Sequence, residues 1–345
     1  MMRRIIVPLD GSTRAEGALL PAAHLARSTG GSLFLVRATM LPMEYAWISA
    51  DTTMILADAI EAEQKEAQDY LNHVLTFPCL EGLGVSTSVV QGDPATVILE
   101  YAQQEEGDLI VMCRHGKGEA KRWLLGSVAQ KIARHSLVPV LIFREEDALD
   151  LFSTSRGMSV LVPLDGSELA EEALQPAIEL SHAFSPSDTA ALHLLCVLPL
   201  FVQYDITDKE ESPLMHEAQR YLKELEERLL RECPPTLHLH LTSSLHCDIE
   251  VAQAILDASA KGHLADQNIP GCECIAMATH GRKGLARWAM GSITERVLSE
   301  AKRPLFIVRP TSIRKMHSGF HGFHEVDAKN GKMQEEWQQP FVGLF

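Results

Sequence analysis

The chain carries the hexapeptide Val-Pro-Leu-Asp-Gly-Ser twice, at residues 7–12 and again at 162–167. Each copy follows a short apolar run and precedes apolar residues spaced three and four apart. Such spacing is typical of one face of a helix, so each copy predicts a buried strand, a tight turn and a helix. A repeated string predicts a repeated structural unit, and its repeated polar end predicts a repeated task.

The repeat extends over most of the 345 residues. Further strands are predicted in pairs at 32–38 and 191–198, at 85–90 and 237–243, at 108–112 and 274–278, and at 138–144 and 304–309, with helices around 67–71 and 218–222. The second copy holds a net insertion of ten residues, which we place mostly in a loop at 259–273. We therefore divide the chain into unit 1 (1–145), a linker (146–155), unit 2 (156–310) and a tail (311–345). The alternation of strands and helices predicts an α/β fold with a parallel sheet covered on both faces.

Composition excludes several classes of protein. A formal net charge of −15 disfavours general binding to nucleic acids, whose phosphates the chain would repel. The apolar run near the N-terminus is too short for a signal peptide, and no stretch is long enough to cross a bilayer, so we expect a cytoplasmic protein without a membrane partner. The seven cysteines have scattered spacing, which predicts reduced thiols.

Three repeated features follow the ends of predicted parallel strands, where such sheets bind ligands. Asp10 and Asp165 follow the first strands, glycines follow the fourth strands, and a Gly-Ser pair opens each last helix. Free N–H groups at a helix start favour an anion such as a phosphate. Each aspartate suits a hydroxyl donor such as a ribose, or else it closes its own turn.

Basic residues surround both Gly-Ser pairs in this acidic chain. They are Arg114, Lys117, Lys121 and Arg122 in unit 1 and Arg282, Lys283 and Arg287 in unit 2. They either form solvated loops or attract an anion, and the recurrence beside a helix start favours the anion. The recurring His115 and His280 either touch phosphate or fix the backbone of their loop.

Residues 277–309, MATHGRKGLARWAMGSITERVLSEAKRPLFIVR, and residues 112–144, MCRHGKGEAKRWLLGSVAQKIARHSLVPVLIFR, resemble the signature of the universal stress protein (UspA-type) family. The resemblance covers both units. It implies two tandem Rossmann-like units of the adenine nucleotide alpha hydrolase type, each with a five-stranded parallel sheet. Because family members pair through their last strands, it also implies an intrachain pseudo-dimer joined at the fifth strands.

In one subset of the family, the resemblance further implies ATP at the strand ends. The nucleotide-binding residues implied are Pro8, Leu9, Asp10, Met112, Cys113, Gly116, Gly126, Ser127 and Val128 in unit 1, and Pro163, Leu164, Asp165, Met277, Ala278, Gly281, Gly291, Ser292 and Ile293 in unit 2. The aspartates would contact ribose or adenine, the methionines would lie against the base, and the amides of Val128 and Ile293 would bind phosphate.

The sequence departs from the pattern of the ATP-binding subset at two places, and we expect these differences to affect the affinity for ATP. The first glycine of G-x-x-G is Cys113 in unit 1 and Ala278 in unit 2, both small residues. Unit 2 also has Cys247-Asp248-Ile249 where unit 1 has Gly92-Asp93-Pro94, so the two sites are not expected to be equal.

The sequence thus predicts a tandem universal stress protein that binds ATP, with or without Mg²⁺, and acts as a sensor or regulator through an unidentified protein partner. We see no catalytic residues and no metal ligands. The alternatives are a slow ATP hydrolase or phosphotransferase and a nucleotide-free interaction module. Association of two chains into a homodimer is open. The tail is expected to be dispensable for nucleotide binding and to affect partner choice, because apolar residues such as Phe320, Trp337 and Phe341 punctuate it.

Overall fold

A computed structural model of the protein describes residues 2–40, 53–114, 125–144, 157–185, 188–199, 213–261, 263–264, 267–268, 272–280 and 290–310. The linker and the tail lie outside these residues, so their boundaries and the role of the tail remain predictions. No helix in the described ranges is long and apolar enough to span a membrane.

Unit 1 alternates strands and helices as the sequence predicts. Its elements are β1 (Arg4–Pro8), α1 (Thr13–Glu16), α2 (Leu19–Thr29), β2 (Ser32–Thr39), α3 (Thr53–Val74), a 3-10 turn (Pro78–Leu80), β3 (Val85–Gln91), α4 (Pro94–Gln104), β4 (Leu109–Cys113), α5 (Ser127–His135) and β5 (Val140–Phe143). Each predicted strand of this unit is therefore present, with its ends shifted by a few residues.

Unit 2 repeats this order. Its elements are β6 (Ser159–Leu164), α6 (Glu168–Glu171), α7 (Leu174–Ala183), β7 (Thr189–Pro199), α8 (Pro213–Glu232), β8 (His238–Asp248), α9 (Val251–Lys261), β9 (His263–Leu264), β10 (Gln267–Asn268), β11 (Cys274–Ala278), α10 (Ser292–Glu300) and β12 (Leu305–Val308). The prediction that the insertion is entirely a loop is wrong, because β9 and β10 pair within it as a small antiparallel sheet.

The two units share one ten-stranded sheet with the order β3-β2-β1-β4-β5-β12-β11-β6-β7-β8. Within this sheet, strand pairing is parallel inside each unit, and β5 and β12 are antiparallel where the units meet. Phe306 pairs with Leu141 at the centre of this junction, with Leu305 opposite Ile142 and Ile307 opposite Val140. The predicted pseudo-dimer through the fifth strands is confirmed.

Two apolar layers, one on each face of the sheet, run through both units. Successive strand residues point to opposite faces, so Ile5 and Val7 enter one layer while Ile6 enters the other. Each layer contains residues from both units, such as Val7 with Val308 in the first and Ile6 with Ile307 in the second. Because both faces of the sheet are covered, its six central strands are almost continuously apolar, whereas the edge strands β3 and β8 also carry polar, partly exposed residues.

The single helix predicted after each hexapeptide is broken in two. In unit 1 the break separates α1 from α2, and in unit 2 it separates α6 from α7. The third residue of the second helix is Pro21 in one unit and Pro176 in the other. Proline cannot donate the hydrogen bond that would continue the earlier turn, and its ring clashes with the carbonyl four residues before it.

Candidate functional site

The strand order of each unit reverses beside its first strand. β1 lies between β2 and β4, and β6 lies between β7 and β11. Loops leaving β1 and β4 therefore turn toward opposite faces of the sheet and leave a crevice between them, which is where open α/β sheets bind ligands. Asp10 follows β1 and Arg114 follows β4, so the predicted site residues of unit 1 flank this crevice.

The two aspartates are held in matching turns. Asp10 accepts hydrogen bonds at Oδ1 from the backbone N of Ser12 (3.0 Å) and from its Oγ (2.6 Å), and Asp165 accepts the same bonds from Ser167 at the same distances. The glycine between each aspartate and its serine, Gly11 or Gly166, has φ of 81° or 79°, a conformation that favours glycine. Each serine in turn caps the following helix by accepting from the N–H of Ala15 or Ala170. The turn role of the aspartates is thus observed, and it fixes their orientation at the crevice.

The residues just before the aspartates belong to the sheet. Pro8 ends β1, the N–H of Leu9 donates to the carbonyl of Val36 (2.9 Å), and Leu9 is buried in the core. In unit 2, Pro163 and Leu164 are the last residues of β6. Their backbone therefore lines the route to each aspartate while both leucine side chains pack inward.

A repeated tyrosine near each aspartate was missed by the functional interpretation of the sequence. Burial raises the pKa of Tyr70 above its ordinary value, and the carboxylates of Glu16 and Asp10 raise it further. Burial likewise raises the pKa of Tyr221, together with the carboxylates of Glu171 and Asp165. Both phenols therefore stay neutral at physiological pH. The available signal was the recurrence of tyrosine in the aligned helices at 67–71 and 218–222.

The last helix of each unit begins at the predicted glycine. Gly126 precedes α5 and donates its N–H to the carbonyl of Arg114, and Gly291 precedes α10 and donates its N–H to the carbonyl of Thr279, both at 2.9 Å. These bonds fasten each helix start to the residue that leaves the fourth strand of its unit. The structure thus brings the strand end and the helix start together in both units.

Backbone conformation does not require glycine at either helix start. Gly126 has φ −61° and Gly291 has φ −58°, values open to any residue. A Cβ at Gly291 would come no closer than 3.6 Å to the described atoms around it, an ordinary van der Waals contact. Within the described part of the chain, packing therefore does not demand glycine here. A bare backbone at this point leaves room for an external group to approach.

Main-chain amides point out of each helix start. The first bond within α5 is donated by Gln130 to Gly126, and the first within α10 is donated by Glu295 to Gly291. The amides of Ser127 and Val128, and those of Ser292 and Ile293, precede these bonds and have no acceptor in their own helix. Ser127, Ser292 and Ile293 are exposed, with Ile293 39% accessible. Such amides and the positive end of the helix dipole suit an anion.

Four predicted site residues end the fourth strands. Met112 and Met277 are buried in one apolar layer, whereas Cys113 and Ala278 are buried in the other. Cys113 and Ala278 thus occupy equivalent places in the two units. Both are small side chains, and they lie in the same apolar layer as Ala15 of α1 and Ala170 of α6, the helices that follow the aspartate turns.

Arg114 does not belong to an anion-binding basic cluster, which corrects the interpretation of the sequence. Its guanidinium is turned into the junction between the units and donates to main-chain carbonyls at the end of α10. His280 is also buried, and its Nδ1 lies 2.8 Å from the hydroxyl of Thr279, so its ring holds its own segment. The remaining predicted basic residues, His115 and the glycines Gly116 and Gly281 fall outside the described residues.

The third loop differs between the units. In unit 1 the chain leaves the sheet at Gly92, which has φ 145° and where a Cβ would meet Val97 at 2.6 Å. Asp93 then caps α4 by accepting from the N–H of Thr96 (3.1 Å). In unit 2 the strand continues through Cys247 to Asp248. The sequence difference between the two loops is therefore also a difference in backbone, and the inequality of the two sites stays a prediction.

The described residues hold no group of three or more His, Cys, Asp and Glu that could bind a metal. All seven cysteines lie in described segments, and none of them forms a disulfide bond. Burial raises the pKa of the Cys272 thiol to about 11, so it remains protonated at physiological pH.

Comparisons with known proteins agree with the fold and the repeat. A tandem-length relative, a universal stress protein of Mycolicibacterium smegmatis, is 23% identical over 89% of this chain and 97% of its own length. The universal stress protein YxiE of Bacillus subtilis is 30% identical over 42% of this chain and its whole length. The crystal structure of a universal stress protein from Archaeoglobus fulgidus covers 90% of this chain and 99% of its own with a TM-score of 0.57 at 19% identity, a likeness of fold.

The family model described as "Universal stress protein family" matches twice, at residues 1–144 and 158–309. Each match spans one complete set of five sheet strands, with one hexapeptide turn and one Gly-Ser helix start. The chain therefore belongs to the universal stress protein family and carries two tandem domains of it.

Proposed function

We propose that the protein binds adenine nucleotides, ATP in the first place, in the crevice of each unit, and that occupancy regulates a stress response through a protein partner. One observation carries the proposal: each unit fastens a glycine helix start to the end of its fourth strand, beside the fixed aspartate turn. The family membership and the recurrence of the arrangement in both units support it.

The residues present fit a nucleoside triphosphate. The amides of Ser127 and Val128, and of Ser292 and Ile293, which have no acceptor within their helix, would hold phosphate oxygens, because a glycine at each helix start lets the phosphate approach the backbone. Asp10 and Asp165 would accept from ribose hydroxyls, since the turn serines already fix the orientation of each carboxylate. Main-chain recognition of this kind does not depend on Mg²⁺, so we propose Mg²⁺ only as a companion of the phosphates.

The test replaces the glycine at each helix start with a larger residue, whose side chain would occupy the space that phosphate needs. We expect the double variant Gly126→Val, Gly291→Val to weaken ATP binding by about tenfold to a hundredfold at each site, because charge-assisted hydrogen bonds contribute about 1.5–3 kcal/mol each. Isothermal titration calorimetry measures this. Unaltered ATP affinity in the folded double variant would show that these helix starts are not the site.

A matched control keeps the amide and removes the side chain. Ile293→Ala leaves the N–H of residue 293 in place, so ATP affinity should stay within about twofold if recognition is through the main chain. Native mass spectrometry of the purified chain adds a second readout, since co-purified ATP or ADP supports the proposal and an empty chain that also fails to bind added ATP favours the nucleotide-free module. The cytosolic location stays a prediction from the sequence.

A further inference from the structure

Arg114 connects the start of one unit's last helix with the end of the other's. Its backbone N–H donates to the carbonyl of Phe143 (2.7 Å), and its own carbonyl accepts from Gly126 at the start of α5 (2.9 Å). Its guanidinium donates to the carbonyls of Leu298 (3.0 Å), Ser299 and Ala301, at the end of α10 in unit 2. One residue of unit 1 therefore contacts both last helices.

The position is well suited to a buried cation. Arg114 is only 5% exposed, and a guanidinium without partners would be costly there. The last carbonyls of a helix lack partners within the helix and carry the negative end of its dipole, so they satisfy this charge. A helix as short as α10, Ser292–Glu300, is marginal by itself and depends on such tertiary contacts.

The equivalent residue of unit 2 makes no such contact. Thr279 holds the start of α10 through its carbonyl, as Arg114 holds α5, but its hydroxyl lies 2.8 Å from the ring of His280. Helix α5 ends differently as well, because Ser136 closes the turn that follows it with bonds to and from Val138. The connection that Arg114 makes therefore joins the start of α5 to the end of α10, and the ion pair of Arg134 with Glu295 is a separate link between the same two helices.

We propose that Arg114 couples the two nucleotide sites, so that it positions α10 for nucleotide binding in unit 2 according to the occupancy of unit 1. The inference rests on the proposed function. A phosphate at the start of α5 acts on the backbone that Arg114 holds, and the guanidinium transmits any shift to α10, whose other end is the Gly291-Ser292 start of the unit 2 site. By linkage, occupancy of unit 2 changes the affinity of unit 1 by the same factor.

The test separates the two sites by blocking one at a time. Gly126→Val leaves only the unit 2 site, and Gly291→Val leaves only the unit 1 site. In the unaltered chain, ATP affinity should differ by about fivefold from the affinities of these two single-site chains, because each bound nucleotide changes the affinity of the other site. Adding Arg114→Met should reduce this difference to within about twofold, since the variant keeps the backbone that fastens Gly126 and loses only the contacts with α10.

The control is Arg303→Met. Arg303 follows α10 and donates to the carbonyl of Ser259 (3.3 Å), near the end of α9 in its own unit. The variant removes the same charge close to the end of α10 and leaves the contacts of Arg114 in place, so both ATP affinities should stay within about twofold. A difference that persists with Arg114→Met, or no difference between the unaltered chain and the single-site chains, would overturn the coupling while leaving the proposed function intact. If the unaltered chain binds no adenine nucleotide, the proposed function fails and this inference fails with it.

A second measurement does not depend on the Arg114 variant folding. ATP added to the Gly291→Val chain, which can load only unit 1, should change amide hydrogen exchange at residues 298–301 of unit 2. Unchanged exchange at these residues, in a chain that calorimetry shows to bind ATP, would contradict the proposal. Arg114→Lys, which keeps the charge but offers a compact ammonium in place of the guanidinium fork, should give an intermediate change.

Discussion

The last helices of the two units have matching starts and different ends. α5 and α10 are both preceded by a glycine that bonds to the end of the fourth strand. α5 is followed by Ser136, which closes its own turn, whereas α10 is followed by Ala301 and is capped by Arg114 from the other unit. Unit 1 is thus locally complete at this point, and unit 2 borrows a side chain. The comparison teaches that a duplicated fold can keep the geometry of its site while the contacts that support the site diverge.

The same divergence appears in the sheet. Phe34 of β2 and His193 of β7 face the same position of the first strand in their units, opposite Ile6 and Leu161. Phe34 packs against an apolar layer, with the guanidinium of Arg4 over its ring. His193 is buried and its two ring nitrogens each lie 2.8 Å from a hydroxyl, of Thr242 and of Ser244. An apolar position in one unit is therefore a satisfied polar position in the other.

The largest expected effect tests where the two units meet. Phe306 and Leu141 are equivalent residues that face each other across the β5–β12 junction, and both are fully buried. Phe306→Ala should lower the free energy of unfolding by about 3–5 kcal/mol because it leaves a cavity. Phe306→Leu, which makes the two units identical here, should cost less than about 1.5 kcal/mol.

Urea denaturation followed by circular dichroism gives both free energies. Equal costs for the two variants would mean that the volume of the Phe306 ring contributes nothing to the junction.

The next effect concerns pH and the buried His193 of unit 2. Burial lowers the pKa of His193 from 6.5 to about 4. The unfolded chain therefore binds more protons than the folded chain between these values, and stability falls as pH drops from about 6.5 to about 4. The full loss corresponds to about 3 kcal/mol.

His193→Phe, which copies Phe34 of unit 1, should flatten this part of the stability profile. The difference between the two urea stability curves, measured from pH 7 to pH 4, isolates the histidine from the carboxylates that titrate in the same range. Parallel curves would show that His193 does not titrate differently in the folded and unfolded chains.

The smallest expected effect concerns the helix ends. Ser136→Ala removes the hydroxyl that bonds to both the N–H and the carbonyl of Val138, so it should cost about 1 kcal/mol. The reverse change in unit 2, Ala301→Ser, should lie within about 0.5 kcal/mol of zero, because Arg114 already donates to the carbonyl of residue 301.

Thermal unfolding of the two variants provides the measurement. A stabilisation by Ala301→Ser as large as the loss at Ser136 would indicate that α10 lacks an effective cap in the unaltered chain.

The sequence by itself determined the repeat, the ten sheet strands, and the turns and helix starts of the candidate site. It could do so because fully buried strands are continuous apolar runs, and because glycine, serine and aspartate turns are short-range features that a local pattern records. The aspartate turns at Asp10 and Asp165 and the helix starts at Gly126 and Gly291 are of this kind, since their hydrogen bonds join residues close in the sequence or at the ends of adjacent elements.

Only the tertiary structure decided what the side chains far apart in sequence do. Arg114 read as one more basic residue of a loop, yet its partners lie more than 180 residues away in the other unit. His193 carried no local signal either, because its partners are hydroxyls on the neighbouring strand β8. The antiparallel pairing of β5 with β12 brings Arg114 to its partners, and the register of β7 with β8 brings His193 to its partners. Because both side chains are buried, their hydrogen bonds must be made within the protein.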